Sequence, residues 1–144
     1  MSSDPDQMSI AFFEMFAPTS CPSDMVLVGT PGSQMAFCIE REERGTEYFY
    51  EAWRACSTND RALCTLNQWW RAHGETGVNN TCNGNWEWVG QRDNRGDGSH
   101  YLHTIVGAGS CPWQTDWGWS GKGGNRSGPY NFRCCIGMAS AVFE

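Results

Sequence analysis

Charge is scarce in this chain: only 18% of its 144 residues are Asp, Glu, Lys or Arg, and the formal net charge is −6. No cluster of Lys and Arg occurs anywhere. A nucleic-acid face needs such a cluster, so DNA and RNA are not expected partners. No apolar run approaches the length of a membrane span, so membrane insertion is not expected either. The first residues, Met1-Ser2-Ser3-Asp4-Pro5-Asp6, lack the basic and then apolar pattern of a secretory signal. No Cys-x-x-Cys pair and no Cys/His cluster at zinc spacing is present, which argues against a zinc site. Internal repeats are also missing.

What the chain does have is cysteine, glycine and tryptophan: 8 Cys, 17 Gly and 8 Trp. Gly points to tight turns and Trp to an aromatic core. The cysteines are even in number and spread along the whole chain: Cys21, Cys38, Cys56, Cys64, Cys82, Cys111, Cys134 and Cys135. Disulfides are the expectation, and with them an oxidising destination, extracellular or on the surface of a particle or cell. Such a destination is reached through lysis, through incorporation in a particle, or with a leader that has been removed; otherwise the chain stays inside the cell. Buried free thiols acting as small hydrophobes are the alternative. Cys134 and Cys135 are neighbours on an expected strand. Their side chains then face opposite sides and cannot bond to each other.

The chain length fits one domain with a real core. Residues 1–20 read as an N-terminal arm that packs on the domain or serves oligomerisation, and residues 21–144 as the domain itself. Met25-Val26-Leu27-Val28 and Met35-Ala36-Phe37-Cys38-Ile39 predict a β-hairpin around Gly29-Thr30-Pro31-Gly32. From Thr46 to Cys56 the apolar period is helical, with Tyr48, Phe49, Ala52, Trp53 and Cys56 on one face. Thr65 and Gln68 predict a capping box opening a second helix, with Leu66, Trp69 and Trp70 inward and Trp69 against Trp86 or Trp88. His73-Gly74 ends it. Residues 90–130 are too rich in glycine for a helix. They read as loops around a strand at Thr104-Ile105-Val106, and Phe132 to Ile136 reads as one closing strand. The sum is an α+β domain.

Trp86-Glu87-Trp88 follows an Asn/Gly turn. On a strand, both Trp side chains take one face and Glu87 the other. The carboxylate is then held by hydrogen bonds at a core boundary, or serves a hard cation beside the Asn and Gly oxygens.

The segment Asn83-Gly84-Asn85-Trp86-Glu87-Trp88 resembles the Gly-Asn-x-Trp-Glu-Trp segment of the formylglycine-generating-enzyme family. Three further segments are similar, in the family's order. They are Phe37-Cys38-Ile39-Glu40-Arg41, the helix start Arg61-Ala62-Leu63-Cys64-Thr65-Leu66-Asn67-Gln68-Trp69, and Gly107-Ala108-Gly109-Ser110 followed by Asn131-Phe132-Arg133-Cys134. The resemblance implies a pared-down C-type-lectin-like fold: a small antiparallel sheet, two helices and long ordered loops. Active members carry two copper-binding thiolates just after the Gly-Gly-Ser segment. Here Cys111 follows Ser110 with no second thiol before Cys134, so the resemblance implies no oxidase activity and no cofactor. Enzyme relatives also hold a structural calcium near the positions of Gly84, Asn85 and Glu87. Sugar-binding motifs of calcium-dependent lectins do not occur. The pair His100 and His103 reads as ordinary loop histidines, and Asp93, Asp97 and Asp116 as turn residues.

Loops on a rigid scaffold commonly carry binding specificity, and Tyr, Trp, Ser, Gly and Asn are the residues of adaptable contact surfaces. The candidate ligand-binding residues are Asp93, Asn94, His100, Tyr101, His103, Gln114, Asp116, Trp117, Trp119, Lys122, Asn125, Arg126 and Tyr130. They should form one contiguous surface for a macromolecular ligand, a protein rather than a glycan. Gly118, between two tryptophans, suggests an exposed ribbon. The interval from Gly107 to Arg133 also resembles the diversified interval in variable proteins of diversity-generating retroelements, which occur in phages, bacteria and archaeal viruses. Diversification there acts on adenines, which implies that Trp113, Trp117 and Trp119 are fixed scaffold. The alternative is a degenerate oxidoreductase of the same family, using Cys111 with Cys134 or Cys135.

Overall fold

The β-branched run Met25-Val26-Leu27-Val28 forms strand β1 (Met25–Val28) in the computed structural model, which describes residues 18–93, 95 and 101–137. Most of the N-terminal arm lies outside the described residues. Strand β1 pairs antiparallel with β2 (Phe37–Glu40), Val26 opposite Ile39, as the hairpin pattern predicts. There follow β3 (Arg44–Glu47), helix α1 (Phe49–Thr58), β4 (Ala62–Leu63) and helix α2 (Leu66–Ala72). Then come β5 (Glu87–Arg92), β6 (Leu102–Val106), β7 (Thr115–Trp119), β8 (Tyr130–Phe132) and β9 (Cys134–Ile136). The described residues form two sheets, one ordered β1-β2-β9-β4 and one ordered β3-β8-β5-β6-β7. All pairings are antiparallel except β5 with β8. The chain is an α+β protein.

Helix α1 begins at Phe49, later than the periodic pattern suggests, and buries Phe49, Ala52 and Cys56. Trp53 was expected on that face but remains 47% exposed. The buried stripe follows i, i+3, i+7, and Trp53 lies beside it at the margin of the sheet. The capping box of α2 is complete. Thr65 Oγ1 accepts from the Gln68 N–H at 3.1 Å, and Gln68 Oε1 accepts from the Thr65 N–H at 2.9 Å. Its helix ends at His73, and Gly74 takes φ +87°, a conformation that favours glycine.

Trp69 is fully buried, but against Val89 and Val106, not Trp86 or Trp88. Side chains alternate along β5. Trp88 therefore packs with Phe49, Ile105 and Phe132 on the α1 side, with Trp86 beside them, while Val89 faces α2. Glu87 points away from Trp88, as the alternation predicts, and is fully buried.

Phe132 to Ile136 is not one strand. Residue Arg133 separates β8 from β9, and the two belong to different sheets. The Arg133 side chain explains the hand-over. It has no exposed surface, and its Nε donates to Glu87 Oε1 at 3.0 Å. The same guanidinium donates to the carbonyls of Glu40, Arg41 and Asn79. The following Cys134 N–H leaves the ladder and donates to Glu40 Oε1 at 2.9 Å. Glu40 in turn pairs with Arg44 and Arg61.

All eight cysteines are bonded, as Cys21–Cys38, Cys56–Cys134, Cys64–Cys135 and Cys82–Cys111. Cys134 and Cys135 face opposite ways, one to α1 and one to the segment before α2. A single dipeptide on β9 thereby ties down both helical segments. The loops closed have sequence separations of 78 and 71. Chain entropy assigns each such closure roughly 4 kcal/mol. Four disulfides fit an oxidising environment.

Burial pushes the Glu87 carboxyl up to about 7, and the Arg133 charge and hydrogen bonds oppose that rise. Replacing Arg133 by Met strands a buried carboxylate and removes the bonds to three carbonyls. The expected loss is about 3–5 kcal/mol in urea unfolding, and the Glu87→Leu/Arg133→Met pair should recover much of it. An unchanged urea midpoint for Arg133→Met would show that this pair does not organise the hand-over.

Candidate functional site

The pairing of β6 with β7 runs from Leu102 opposite Trp119 to Val106 opposite Thr115. It sets Tyr101 beside Trp119, with ring centroids 5.6 Å apart, and the Ser120 N–H donates to the Tyr101 carbonyl. Beyond Trp119 the chain turns back, and the Trp119 N–H donates to the Arg126 carbonyl at 2.8 Å. This return lays Asn125 and Arg126 along the outer side of β7. A groove of about 330 Å³ results, lined by Trp117, Trp119, Gly124, Asn125 and Arg126. The Arg126 guanidinium sits 4.1 Å from the centroid of the Trp117 ring and pairs with Asp116 at 2.6 Å.

Gly118 is buried in the sheet. A Cβ there would come within 2.5 Å of the Trp88 ring. The glycine thus serves close packing against Trp88, not an exposed ribbon. Its neighbours Trp117 and Trp119 are half-buried.

Strand β7 is a sheet edge, and side chains cover much of its polar backbone. Arg95 Nη1 donates to the Thr115 carbonyl at 2.9 Å. The Trp117 N–H donates to Asp116 Oδ1 at 2.8 Å, and Arg126 Nη1 donates to the Trp117 carbonyl at 3.3 Å. An uncovered edge is a template for pairing with another chain. Arg95, Asp116 and Arg126 occupy that template.

The candidate residues therefore divide. Tyr101, Asp116, Trp117, Trp119, Asn125 and Arg126 come together, while Asn94 and His100 lie outside the described residues. Asp116 is a strand residue, not a turn residue. Asp93 is only 6% exposed. Burial raises its carboxyl, but hydrogen bonds from the Arg95 side chain and backbone and from the Thr104 hydroxyl hold it below the usual carboxylate range. It anchors its loop. Gln114 lies at the opposite end of the β6–β7 hairpin, where its Oε1 accepts from the Ser110 N–H at 2.7 Å. Lys122 turns to α1, pairing with Glu51 at 2.7 Å over the Tyr48 ring. Tyr130 stands edge-on to Trp88 at 4.9 Å, and its hydroxyl donates to the Arg126 carbonyl.

His103 is not a loop residue. It sits in β6 on the α1 side, 9% exposed, with its ring stacked on Phe49 at 3.6 Å. Burial lowers its pKa to about 4, and the charge of Arg92 acts in the same direction, against a hydrogen bond to the Gln91 backbone.

Three exposed aromatic residues escaped the sequence reading as site candidates. Trp113 is 74% exposed at the β6–β7 turn, and Tyr50 and Trp53 are about half exposed on α1. The signal for the α1 pair was their i, i+3 spacing beside a buried stripe.

Several oxygens near Glu87 are engaged, while Glu43 Oε2 is buried without a hydrogen-bond partner. The Glu87 carboxylate accepts from Arg133, Asn83 Oδ1 accepts from the Asn85 N–H, and the Asn83 amide donates to Glu43. Arg133 thus takes the Glu87 carboxylate that the hard-cation reading would use. Among the described residues no three His, Cys, Asp or Glu side chains cluster as a metal site. Cys111 is bonded to Cys82, not to Cys134 or Cys135, the partners the alternative oxidoreductase reading would use. The sequence matches no protein-family model, and no curated protein matches it significantly.

Arg126→Ala should uncover the β7 edge and leave Asp116 unpaired. We expect a loss of about 1 kcal/mol, limited by partial exposure, and concentration-dependent self-association in sedimentation velocity. Identical sedimentation for both proteins would remove the edge-protecting role.

His103 also sets a pH dependence. The folded state keeps the ring neutral down to about pH 4, whereas the unfolded chain protonates it near 6.5. Between these values the unfolded state binds more protons. The His103 contribution is complete above about 6.5 and is lost as the pH falls through about 4. The unfolding free energy of the wild type minus that of His103→Gln should shrink across this window. A constant difference would show that His103 does not titrate there.

Proposed function

We propose that the chain is a ligand-binding module that displays loop residues on a C-type-lectin-like scaffold, of the kind that retroelements diversify in viruses and prokaryotes. One observation carries this reading. Asn125 and Arg126 on the returning segment converge on Trp117 and Trp119, forming one groove along the edge strand β7, and Tyr101 packs beside Trp119. Trp, Tyr and Arg are the residues that dominate binding energy at protein interfaces. The groove is a shallow surface feature over an edge strand, which suits a protein ligand more than an enclosed small molecule.

The scaffold part of the proposal rests on the resembling segments. Trp88 is core, Thr65 caps α2, and Phe132-Arg133 joins the two sheets. Engagement of all eight cysteines in disulfides favours a binding module over an oxidoreductase. A particle or cell surface is the setting this favours.

Sequencing the locus across natural isolates tests the reading directly. Substitutions should concentrate at Asn125 and other positions between Gly107 and Arg133, with Trp117 and Trp119 constant and a reverse-transcriptase gene nearby. Substitutions spread evenly along the chain would refute it. In parallel, Tyr101→Ala and Asn125→Ala should each shift unfolding by roughly 0.5 kcal/mol or less, as exposed positions do. Asp116 and Arg126 are unsuitable for this comparison, because both hold the edge strand.

A further inference from the structure

A second pocket, of about 290 Å³, lies on the α1 side of the β5–β6 pair, remote in character from the groove beside β7. Phe49, Tyr50, Trp53, Gly90, Arg92 and His103 line it. Its walls are mostly aromatic. Phe49 stacks on His103, Tyr50 stands edge-on to both rings, and Trp53 tilts against Phe49 at 6.2 Å. Tyr50 and Trp53 keep 48% and 47% of their surface exposed, one helical turn apart. Large apolar side chains left open around a concavity mark a binding site more often than chance.

Two polar features decide what such a slot accepts. The first is His103. Its side chain is nine-tenths buried, and its Nε2 has no hydrogen-bond partner. A buried acceptor left unmade is costly, and a donor on a ligand seated against the ring would satisfy it. The second is Arg92, which is exposed at the pocket wall and has no ion-pair partner among the described residues.

An aromatic box can also serve a cation. Here the charge opposes that use. Among the described residues no carboxylate lines the pocket, and Glu51, beside Tyr50, is already paired with Lys122. A guanidinium beside aromatic walls selects an anionic group instead. The volume lies at the lower end for ligand sites, which limits the occupant to a single ring with short substituents.

We propose that this pocket binds a small aromatic carboxylate bearing a ring hydroxyl or ring N–H. The ring stacks among Phe49, Tyr50 and Trp53, its carboxylate pairs with Arg92, and its donor reaches His103 Nε2. This site does not depend on the ligand-display reading, since it uses different residues apart from His103.

Calorimetric titration of the full chain with 4-hydroxyphenylacetate tests the proposal. Saturable binding of one molecule per chain is expected. Phenylacetate, which lacks the donor, should bind about tenfold more weakly. Tyramine, with the same phenol and a cation in place of the carboxylate, should not bind. Arg92→Gln should weaken 4-hydroxyphenylacetate about tenfold and remove its advantage over the neutral 4-hydroxyphenylacetamide. Arg92 is exposed, so circular dichroism should show an unchanged fold. Trp53→Ala, also at an exposed position, should weaken all ring-bearing probes together. The proposal fails if 4-hydroxyphenylacetate shows no saturable binding, if tyramine binds as well, or if Arg92→Gln binds the acid as the wild type does.

Discussion

The buried Arg133–Glu87 pair is the constraint around which the remaining structure is arranged. Two charges with no exposed surface are tolerable only when geometry and additional hydrogen bonds satisfy them. Arg133 meets that condition by reaching carbonyls of Glu40, Arg41 and Asn79 as well as the Glu87 carboxylate. Those groups come from β2 and the residue after it, from the loop before β5, and from β5 itself. One side chain therefore fixes how the two sheets meet. The strand that would otherwise run through residue 133 divides, and each half joins a different sheet.

The disulfides reinforce the same place. Cys134 and Cys135 follow Arg133 directly and take α1 and the residue before the α2 cap in opposite directions. With the centre held so firmly, the β5–β6–β7 side can present irregular backbone. The turn after β7 is ordered by short-range bonds at Ser127, Gly124 and Arg126 and by the packing of Trp119, not by a large core of its own. Arg126 has a double position. It borders the groove and also closes the open edge of β7, so recognition and protection from edge pairing share one guanidinium.

Much of the secondary structure was legible from local pattern. The β1–β2 hairpin, the α2 capping box and the Gly74 stop are short-range signals, and short-range physics determines them. The opposite orientations of Cys134 and Cys135 also follow from strand alternation alone. The site was less legible. Asp93, Gln114 and Lys122 look like free polar loop residues in one dimension, yet Asp93 and Gln114 bond within their own turns, to Arg95 and Ser110, and Lys122 meets Glu51 across the fold. His103 sits between a loop histidine pattern and a strand pattern, and the register with β7 puts it under Phe49.

The sequence by itself determined an α+β chain with two helices, a cysteine framework and tryptophans at strand spacing, because these depend on neighbours within a few residues. Tertiary structure alone decided which cysteines pair, that Trp69 packs on Val89 and Val106, and that Arg133 splits a strand between two sheets. Those outcomes depend on groups distant in sequence, and Arg133 bonds Glu87 and Glu40 across 46 and 93 positions. No local preference encodes such contacts. They are selected by the need to pair every buried charge and fill the space around each large ring.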